Sequence, residues 1–289
     1  MPLMRMTPTS AIRGISNYYT PLFGPVWSGH GAIEDSALRA FAKAFLELPG
    51  SDVLMLQPLA ADAPFVRALE RGLIAHGYRL DRYFCFGNWY ESIGHRSFVD
   101  YWMQRPSRLR HTVERARRRL DQSHTWRTEV VESHGDSLEQ AVDAFCAVYS
   151  RSWKAPEPCP EFMPGLIRMA AGIGALRLGQ LWLDGEVVAS QVWLVHDGKA
   201  SIYKLAYVPG YEKLSLGSVL TAALMHHVID RDKVAEVDYL MGDDAYKQDW
   251  MTSRRERVGL VAFHPTRIRG LCAWVQHHAR RFFRRHVLR

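Results

Sequence analysis

Residues 204–218 read KLAYVPGYEKLSLGS, a segment that predicts a β-strand, then a polar loop, then the start of a helix. After the loop, apolar residues recur at helical spacing from Leu216 to Val228, which indicates one buried helix face. Ser215 or Ser218 is expected to cap the free N–H groups where the helix starts. Such a start binds anions, because unpaired N–H groups and the helix dipole both point outward. The segment therefore predicts a site for a phosphate-bearing cofactor.

A second segment follows closely, since residues 238–250 read DYLMGDDAYKQDW. It predicts a strand that ends at an aspartate, a glycine turn and a short helix. Together the two segments resemble the C-terminal half of the GNAT-fold acyltransferases, most closely the branch linked to cellulose and exopolysaccharide biosynthesis, which is related to the FemAB aminoacyl transferases. The residues that carry the resemblance, in order, are Ser215, Gly217, Asp238, Gly242, Tyr246, Lys247 and Trp250.

The resemblance implies an α/β fold in which helices flank a GNAT-like mixed sheet. The predicted elements from residue 126 to 263 run β-α-α-β-β-β-α-β-α-β, and Asp-Gly pairs at 184–185 and 197–198 favour tight hairpins. The strand over 235–239 is expected to be parallel to its neighbour. We expect a GNAT-like domain over residues 105–265 and a basic amphipathic helix over 266–289.

The first 104 residues are expected to form an α/β region that shapes the acceptor cleft. This region could be a degenerate second GNAT-like domain. An irregular lead-in is predicted over residues 1–16, with helices over 36–48 and 63–76 and a short strand between them. The aromatic segment 78–90 predicts two strands that meet near Gly87.

The resemblance implies acetyl-CoA or another acyl-CoA as co-substrate, and no metal. Neighbouring strands are expected to separate just before Pro209, exposing N–H groups to the thioester. In the common GNAT loop, Gln or Arg and then Gly hold the first two fixed positions, where this chain has Glu212 and Ser215. An acid beside a pyrophosphate is unfavourable, so CoA, a carrier protein and aminoacyl-tRNA all stay open as donors. The expected donor-binding residues are Tyr207, Val208, Lys213, Ser215, Leu216, Gly217 and Ser218.

Tyr246 is the candidate general acid for the departing thiolate, and its alternative is a packed aromatic with its hydroxyl in water. Asp243 is the candidate base for the amine, a role also open to Asp244; either could instead cap the next helix. For Lys247 the resemblance implies a contact with a phosphate or carboxylate of donor or acceptor, and its alternative is an exposed helix lysine. The other candidates for substrate binding, each with a structural alternative, are Asp238, Gln191 and Tyr203.

Composition indicates a folded protein, with 47% hydrophobic and 23% charged residues among 289. No apolar run approaches the roughly 20 residues that span a bilayer. The four cysteines are scattered and form neither a metal-ligand pair nor a disulfide framework, which predicts a cytoplasmic protein without a metal. The sequence has no Gly-x-Ser-x-Gly elbow, Walker lysine loop or HExxH motif, so hydrolase, NTPase and metalloprotease functions lack support.

The net charge of +7 is unevenly distributed and would favour an anionic partner. The alternative, which we expect for the cluster over residues 105–119, is a solvated helix face. Residues 105–119 contain seven arginines and one acidic residue, and residues 271–289 contain five arginines and no acidic residue. The C-terminal segment also has an apolar stripe, which we expect to pack back on the domain. The alternative is an anionic membrane surface, with the protein peripheral to the inner membrane. The stripe consists of Ile268, Leu271, Cys272, Val275, Ala279, Phe282 and Phe283.

We predict a GNAT-like N-acyltransferase for a small-molecule or glycan-precursor amine. The resemblance alone implies a role in cell-envelope or exopolysaccharide synthesis. Two alternatives stay open. A FemAB-like enzyme would take its acyl group from aminoacyl-tRNA, and only then is a nucleic acid expected as a partner. A non-catalytic GNAT-fold protein would instead serve as an accessory of a membrane polysaccharide synthase.

Overall fold

The computed structural model describes residues 1–6, 11–26, 34–48, 51–133, 135–264 and 266–286. For residues 136 and 280–286 it describes the backbone only. The chain divides into two compact units, unit 1 (Met1–Asn88 and Arg255–Arg289) and unit 2 (Trp89–Arg254). The domain boundaries expected from the sequence, after residues 104 and 265, stay a prediction.

In chain order the first elements are β1 (Leu3–Met6), β2 (Ala11–Gly14), α1 (Asp35–Glu47), β3 (Val53–Ala60), α2 (Pro64–Ala75), β4 (Arg79–Ser92), α3 (Phe98–Met103), α4 (Ser107–Ser123) and β5 (Trp126–Val131). The others are α5 (Asp136–Arg151), α6 (Phe162–Gly172), β6 (Leu176–Leu183), β7 (Glu186–His196), β8 (Lys199–Tyr207), α7 (Leu216–His226), β9 (Glu236–Asp238), α8 (Lys247–Trp250), β10 (Ser253–Phe263) and α9 (Ile268–His286). A 3-10 turn (Glu212–Leu214) precedes α7 and a π-helical segment (His227–Arg231) follows it. Within the described part of the chain, no helix is both long and apolar enough to cross a membrane.

The sheet of unit 1 is mixed. β1 is antiparallel to β2, β2 is parallel to β3, and β3 is antiparallel to β10. The core lies where α1 and α2 pack on these strands, around side chains such as Phe45, Leu56, Leu69 and Leu260. The irregular lead-in expected over residues 1–16 is wrong for the described part, because β1 and β2 pair there; residues 7–10 lie outside the described residues.

β4 is a single strand of 14 residues, so the expectation of two strands meeting near Gly87 is wrong. Asn88 is fully buried, and its Oδ1 accepts hydrogen bonds from Arg255 Nε and from a terminal guanidinium nitrogen of Arg257, each 2.7 Å long. These bonds hold the Gly-Asn pair in extended backbone, because a turn there would leave the buried amide oxygen without its donors.

The strands of unit 2 have the order β4-β9-β8-β7-β6-β5, and all neighbours are antiparallel except β8 and β9. This confirms the expected fold class, the β6–β8 meander and the parallel return of β9. Asp184 and Asp197 have φ of 50° and 47°, the left-handed backbone that a two-residue hairpin needs. α4 and α7 cover one face of the sheet, and α5 and α6 cover the other.

β8 and β9 separate after a short pairing. Residues 199–201 of β8 pair with residues 236–238 of β9, and β8 then continues alone to Tyr207 on that side. Tyr203 forms a bulge, because Val192 pairs with Lys204 while Trp193 pairs with Ile202. The second half of β8 therefore has an open edge within the described part of unit 2.

α9 packs on unit 1 through a face other than its apolar stripe. A Cβ added at Gly270 would lie 2.6 Å from the carbonyl oxygen of His264, and His277 Nε2 lies 2.7 Å from an Asp81 carboxylate oxygen. Helical register puts the stripe opposite this packed face, so the expectation that it packs back on the domain is wrong for its described members. The exposed members are Ile268, Leu271, Cys272, Val275 and Ala279, while the side chains of Phe282 and Phe283 lie outside the described ones.

α7 lies so close to β6 that a side chain at position 179 would have to displace Leu224. A Cβ at Gly179 would lie 2.6 Å from Leu224 Cδ1, whereas a Cβ at Gly165, on the exposed side of α6, would meet nothing within 4 Å. Gly179→Ala should lower the free energy of unfolding by about 1–3 kcal/mol through overpacking. Gly165→Ala should raise it by about 0.5–1 kcal/mol, as in any open helix interior. Urea unfolding measures both, and equal effects of the two changes would refute the close packing.

Candidate functional site

A cavity of about 620 Å³ lies within unit 2, where the open edge of β8 faces the start of α7. The cavity is lined by β7 and β8, by the first turns of α4 and α7 with the loop before α7, by the segment after α5, and by the loop and helix that follow β9. The lining residues used below are Arg108, Trp153, Lys154, Gln191, Leu205, Tyr207, Tyr211, Glu212, Ser215, Leu216, Gly217, Ser218, Thr221, Tyr239, Asp244, Tyr246, Asp249 and Trp250.

The start of α7 is open to the cavity. Ser215 occupies the N-cap position with φ of 45°, and no side chain caps the helix, so the expected capping by Ser215 or Ser218 is wrong. The usual capping residue has extended backbone, which aims its oxygen at the next turn; left-handed Ser215 does not. The N–H groups of Ser218 and Val219 donate to the Ser215 carbonyl, but those of Leu216 and Gly217 have no acceptor among the described residues.

The open edge of β8 offers further backbone groups. Val208 N–H donates to the carbonyl of Val188 in β7 at 2.8 Å. Because adjacent residues of a strand direct their N–H groups to opposite sides, the N–H groups of Tyr207 and Leu205 point away from β7, toward the side where β9 has separated. Leu205 and Tyr207 both line the cavity, so two more unpaired donors lie beside those of the α7 start.

A buried polar cluster fixes the helix start against the sheet. The Gln191 amide nitrogen donates to the Gly217 carbonyl at 3.1 Å and to Thr221 Oγ1 at 2.9 Å, and its oxygen accepts from Trp193 Nε1 at 2.9 Å. Thr221 Oγ1 also donates to the Gly217 carbonyl at 2.8 Å. Gln191 lines the cavity, but its polar atoms are engaged within the protein; its expected contact with the acceptor stays a prediction.

Lys247 and Asp238 shape the loop after β9 and do not line the cavity. Buried Lys247 donates from Nζ to the carbonyls of Met241 at 2.6 Å and Gly242 at 3.2 Å, and its Nζ lies 3.1 Å from Asp244 Oδ2. Burial lowers the pKa of Lys247, while Asp244 acts to raise it. Fully buried Asp238 is 2.5 Å from Lys199 Nζ and accepts a hydrogen bond from Leu240 N–H. Their substrate contacts stay predictions.

Asp243 lies outside the cavity, whereas Asp244 lines it. The Asp243 carboxylate accepts hydrogen bonds from Arg254 at 2.6 Å and from Trp89 Nε1 at 2.8 Å. The bond from Arg254 lowers the pKa of Asp243, which makes this carboxylate a weak base. The helix that follows begins after Tyr246, so neither aspartate occupies its N-cap.

Three other predicted residues also lie off the cavity. Val208 and Tyr203 pack in the apolar cluster between the sheet and α5–α6, on the other sheet face. The bulge at Tyr203 places it there. The carbonyl of Lys213 accepts a hydrogen bond from Arg119 at 2.8 Å, which links the loop to α4. The other predicted donor-binding residues, Tyr207, Ser215, Leu216, Gly217 and Ser218, do line the cavity together.

Tyr239 and Tyr246 are among the cavity tyrosines whose hydroxyls lack hydrogen-bond partners in the described part of the chain. Tyr246 is 45% exposed, and its ring packs edge-on against Tyr239 with 5.9 Å between centroids. Burial, together with Asp244 and Tyr207, raises the pKa of Tyr246 well above its ordinary value, so the hydroxyl stays protonated at neutral pH. The buried Tyr239 hydroxyl lies near Thr221 without a hydrogen bond of normal geometry, and burial raises its pKa as well.

Lys154 is one of the cavity residues that sequence reasoning missed. Its ammonium is partly buried, 5.8 Å from the Trp153 ring centroid, and has no carboxylate at ion-pair distance in the described part of the chain. Burial lowers the pKa of Lys154, and the ammonium groups of Lys204 and Lys247 lower it further. The more distant carboxylates of Glu157 and Asp244 oppose this shift in part. No periodic pattern marks a single lysine in a loop, and only the fold shows that it reaches the cavity.

Most of the other charged groups of the cavity form ion pairs or hydrogen bonds within the protein. Arg108 forms a two-pronged ion pair with Asp249, with a shortest contact of 2.7 Å. Glu212 accepts a hydrogen bond from Gly210 N–H at 2.9 Å, and this bond lowers the pKa of Glu212. Glu212 thus remains an anion on the cavity lining, beside the open start of α7. No group of three or more potential metal ligands occurs among the residues described.

Residues 107–248 match the family model of the acetyltransferase (GNAT) domain. The matched segment contains the whole cavity lining except Asp249 and Trp250. No curated protein sequence matches the chain. The family match supports acyltransferase chemistry in general for this segment, and it agrees with the fold class expected from the sequence.

Solved structures share the fold at low sequence identity. The C-terminal domain (DUF2156) of a protein named as a lysylphosphatidylglycerol synthetase from Agrobacterium fabrum has a TM-score of 0.57 at 14% identity, covering 90% of this chain and 79% of that one. FemX has a TM-score of 0.58 at 11% identity, covering 78% and 75%. A conserved protein of unknown function from Bacteroides thetaiotaomicron has 0.55 at 9%, covering 80% and 75%. These likenesses show a common fold and nothing finer.

Lys154 should cost the folded chain stability, because its charge is desolvated without a carboxylate partner. Lys154→Met should therefore raise the free energy of unfolding at neutral pH. The pKa of Lys154 is lower in the folded state than in the unfolded state. The stability penalty is therefore full at pH values below the folded-state pKa, and it disappears as the pH rises to the pKa of an exposed lysine. The advantage of the variant in urea unfolding should shrink across that alkaline range.

Lys204 provides the matched control, since its Nζ lies 2.6 Å from Glu157 Oε1 and both side chains are largely buried. Lys204→Met should lower the free energy of unfolding by about 3–5 kcal/mol, because it removes the buried cation beside a carboxylate. If Lys154→Met also destabilised the chain, Lys154 would have a stabilising partner and the argument for an unpaired ammonium would fail.

Proposed function

Because residues 107–248 match a GNAT acetyltransferase domain, we propose that this chain is an N-acyltransferase that moves an acyl group from a CoA thioester to an amine. The observation that carries the proposal is the cavity, where the open edge of β8 meets the uncapped start of α7. Four residues of its lining, Leu205, Tyr207, Leu216 and Gly217, have N–H groups without an acceptor among the described residues. Such a set suits a ligand with both a carbonyl and a phosphate.

The cavity suits the parts of an acyl-CoA. Its volume of about 620 Å³ is within the range of small-molecule pockets. The N–H groups of Leu216 and Gly217 would bind the pyrophosphate, as helix starts bind anions. The N–H groups of Leu205 and Tyr207 would bind the thioester and the pantetheine arm. A Cβ at Gly217 would approach the Tyr207 ring to 3.4 Å, so a large side chain at 217 would fill the space between the two donor sets.

The proposed reaction is a direct attack. The neutral amine forms a C–N bond with the thioester carbonyl carbon, the carbonyl oxygen becomes an oxyanion beside the N–H groups of β8, and the C–S bond then breaks. Tyr246 donates its phenolic proton to the departing thiolate, the nitrogen loses a proton to water, and the Tyr246 phenolate then regains a proton from water. The unpartnered hydroxyl of Tyr246 and its raised pKa support the role of proton donor.

Lys154 would bind an anionic group of one of the two substrates. Of the cations that line the cavity, Arg108 already has a carboxylate partner and Lys154 has none in the part of the chain described. An unpaired, partly buried ammonium gains most from a phosphate or carboxylate that enters the same low-dielectric space. The acceptor would be a small-molecule or glycan-precursor amine, in keeping with the resemblance to the cellulose and exopolysaccharide branch.

Glu212 favours a second candidate donor, aminoacyl-tRNA. Its carboxylate lines the cavity beside the α7 start, where it would repel the pyrophosphate of CoA. An aminoacyl-tRNA has phosphodiesters and no pyrophosphate, so this carboxylate would meet less negative charge at the α7 start. Loss of activity after RNase treatment would establish this donor, and activity with purified acyl-CoA alone would exclude the need for it.

Donor binding should be visible as a stability gain. Acetyl-CoA, a longer acyl-CoA or free CoA at about 100 times its Kd should stabilise the chain by about 2.7 kcal/mol in thermal unfolding. Gly217→Trp should abolish this gain because the indole fills the cavity. Gly165→Trp is the matched control and should keep it, since position 165 is exposed and open. No gain with any CoA species would contradict a CoA donor, and a gain that survives Gly217→Trp would move the site elsewhere.

Tyr246→Phe should lower kcat by about 10²–10⁴-fold and leave KM for both substrates nearly unchanged, because the hydroxyl acts on the leaving group. Tyr211→Phe is the matched control, a cavity-lining tyrosine without a proposed proton transfer, and should change kcat only slightly. Because the pKa of Tyr246 is raised, we expect it to stay protonated up to the ordinary tyrosine pKa of about 10. At pH values below that, its deprotonation should not reduce the wild-type rate. A fully active Tyr246→Phe variant would remove Tyr246 from the mechanism.

A further inference from the structure

Helix α9 presents large apolar side chains to solvent. Ile268 is 78% exposed, Leu271 is 42% exposed and Val275 is 54% exposed. Single exposed apolar residues are ordinary, but these three recur at intervals of three and four along one helix face. Cys272 and Ala279 are exposed on the same face, which makes a continuous stripe.

The stripe is not needed to hold α9 on unit 1. The helix is fixed from its other side, where Gly270 lies against the backbone of His264 and His277 contacts Asp81. In addition, the Arg79 guanidinium lies 4.5 Å from the centroid of the Trp274 ring. The exposed stripe is therefore free to contact something outside unit 1.

The charge of α9 indicates what that partner is. The helix contains five arginines and no aspartate or glutamate, and four of the arginines fall in its last two turns. A partner of α9 must accept apolar side chains and also neutralise the arginines of the same helix. The boundary between anionic headgroups and acyl chains does both, because the apolar stripe enters the acyl region while arginines remain at the headgroups.

Other partners satisfy only one of these requirements. A nucleic acid would neutralise the arginines but leave Leu271 and Val275 in water. A second copy of α9 would cover the stripe, but it would bring two all-basic helices together and they would repel each other. Since the apolar and basic features lie on one helix, a single lipid surface explains both.

We propose that α9 binds the surface of an anionic lipid bilayer, with Ile268, Leu271 and Val275 inserted below the headgroups. The helix lies in the plane of the surface, because its packed face stays on unit 1. The proposal does not depend on the acyltransferase assignment, since the stripe belongs to unit 1 and the cavity to unit 2. A failure of donor binding would leave it intact.

Co-sedimentation of the full chain with lipid vesicles tests the proposal. The wild type should sediment with vesicles of phosphatidylcholine and phosphatidylglycerol, should not sediment with phosphatidylcholine alone, and should bind less at high salt. Leu271→Ser/Val275→Ser should weaken partitioning into anionic vesicles at least about tenfold, without a change in charge. The matched control is Ile74→Ser/Val99→Ser, which removes two similarly exposed apolar side chains elsewhere and should bind as the wild type does.

Thermal unfolding of both double variants should match the wild type, because all four side chains are exposed. The proposal is overturned if the wild type does not bind anionic vesicles, or if the two double variants bind equally well. It is also overturned if the wild type is a dimer in solution that Leu271→Ser/Val275→Ser converts to monomer, since the stripe would then be a contact between copies.

Discussion

The buried carboxylate of Asp238 determines where β9 ends, and the site depends on that ending. Its charge is balanced by Lys199, and its Oδ1 takes the N–H of Leu240, which has a left-handed φ of 52°. The chain therefore turns away from β8 after three paired residues. Had β9 continued, the N–H groups of Leu205 and Tyr207 would lie in a sheet ladder and no cavity would exist beside them. Asp238 thus acts on the site through the backbone.

The cavity combines satisfied charges with unsatisfied polar groups. Arg108 is paired with Asp249, and Lys247 with Asp244. Other groups at the cavity have no such partner among the described residues: the Lys154 ammonium, the Tyr239 and Tyr246 hydroxyls and the uncapped start of α7. Buried or half-buried polar groups without partners cost free energy in the folded chain. Their concentration on one cavity is what a binding site for a polar, anionic ligand requires.

Sequence patterns predicted the parts of the fold that local chemistry determines. The β6–β8 meander follows from its Asp-Gly turns, and α7 follows from the apolar period after Leu216. The failures lie where distant residues decide the outcome. β4 stays extended through Gly87 because Arg255 and Arg257 bind Asn88. Likewise, the apolar stripe of α9 faces outward because Asp81, far along the chain, holds the opposite face.

The candidate site was predictable to a similar extent. Five of the donor-binding residues predicted from the loop motif do line the cavity. A strand, a loop and a helix that follow one another directly bring these residues together. Lys154 lies more than forty residues from that motif, and only the packing of α5 brings it near. The sequence has no spacing rule that distinguishes Asp243 from Asp244 as the candidate base. In the structure Arg254 binds Asp243 outside the cavity, and Asp244 lines the cavity instead.

Amide hydrogen exchange with and without acetyl-CoA tests the central claim, that the open edge of β8 and the start of α7 bind the acyl donor. The account predicts slower exchange on ligand addition at Leu205, Tyr207, Leu216 and Gly217, with little change at Val208, whose N–H is already bonded to Val188. Binding that slows exchange elsewhere and leaves those four amides unchanged would contradict it.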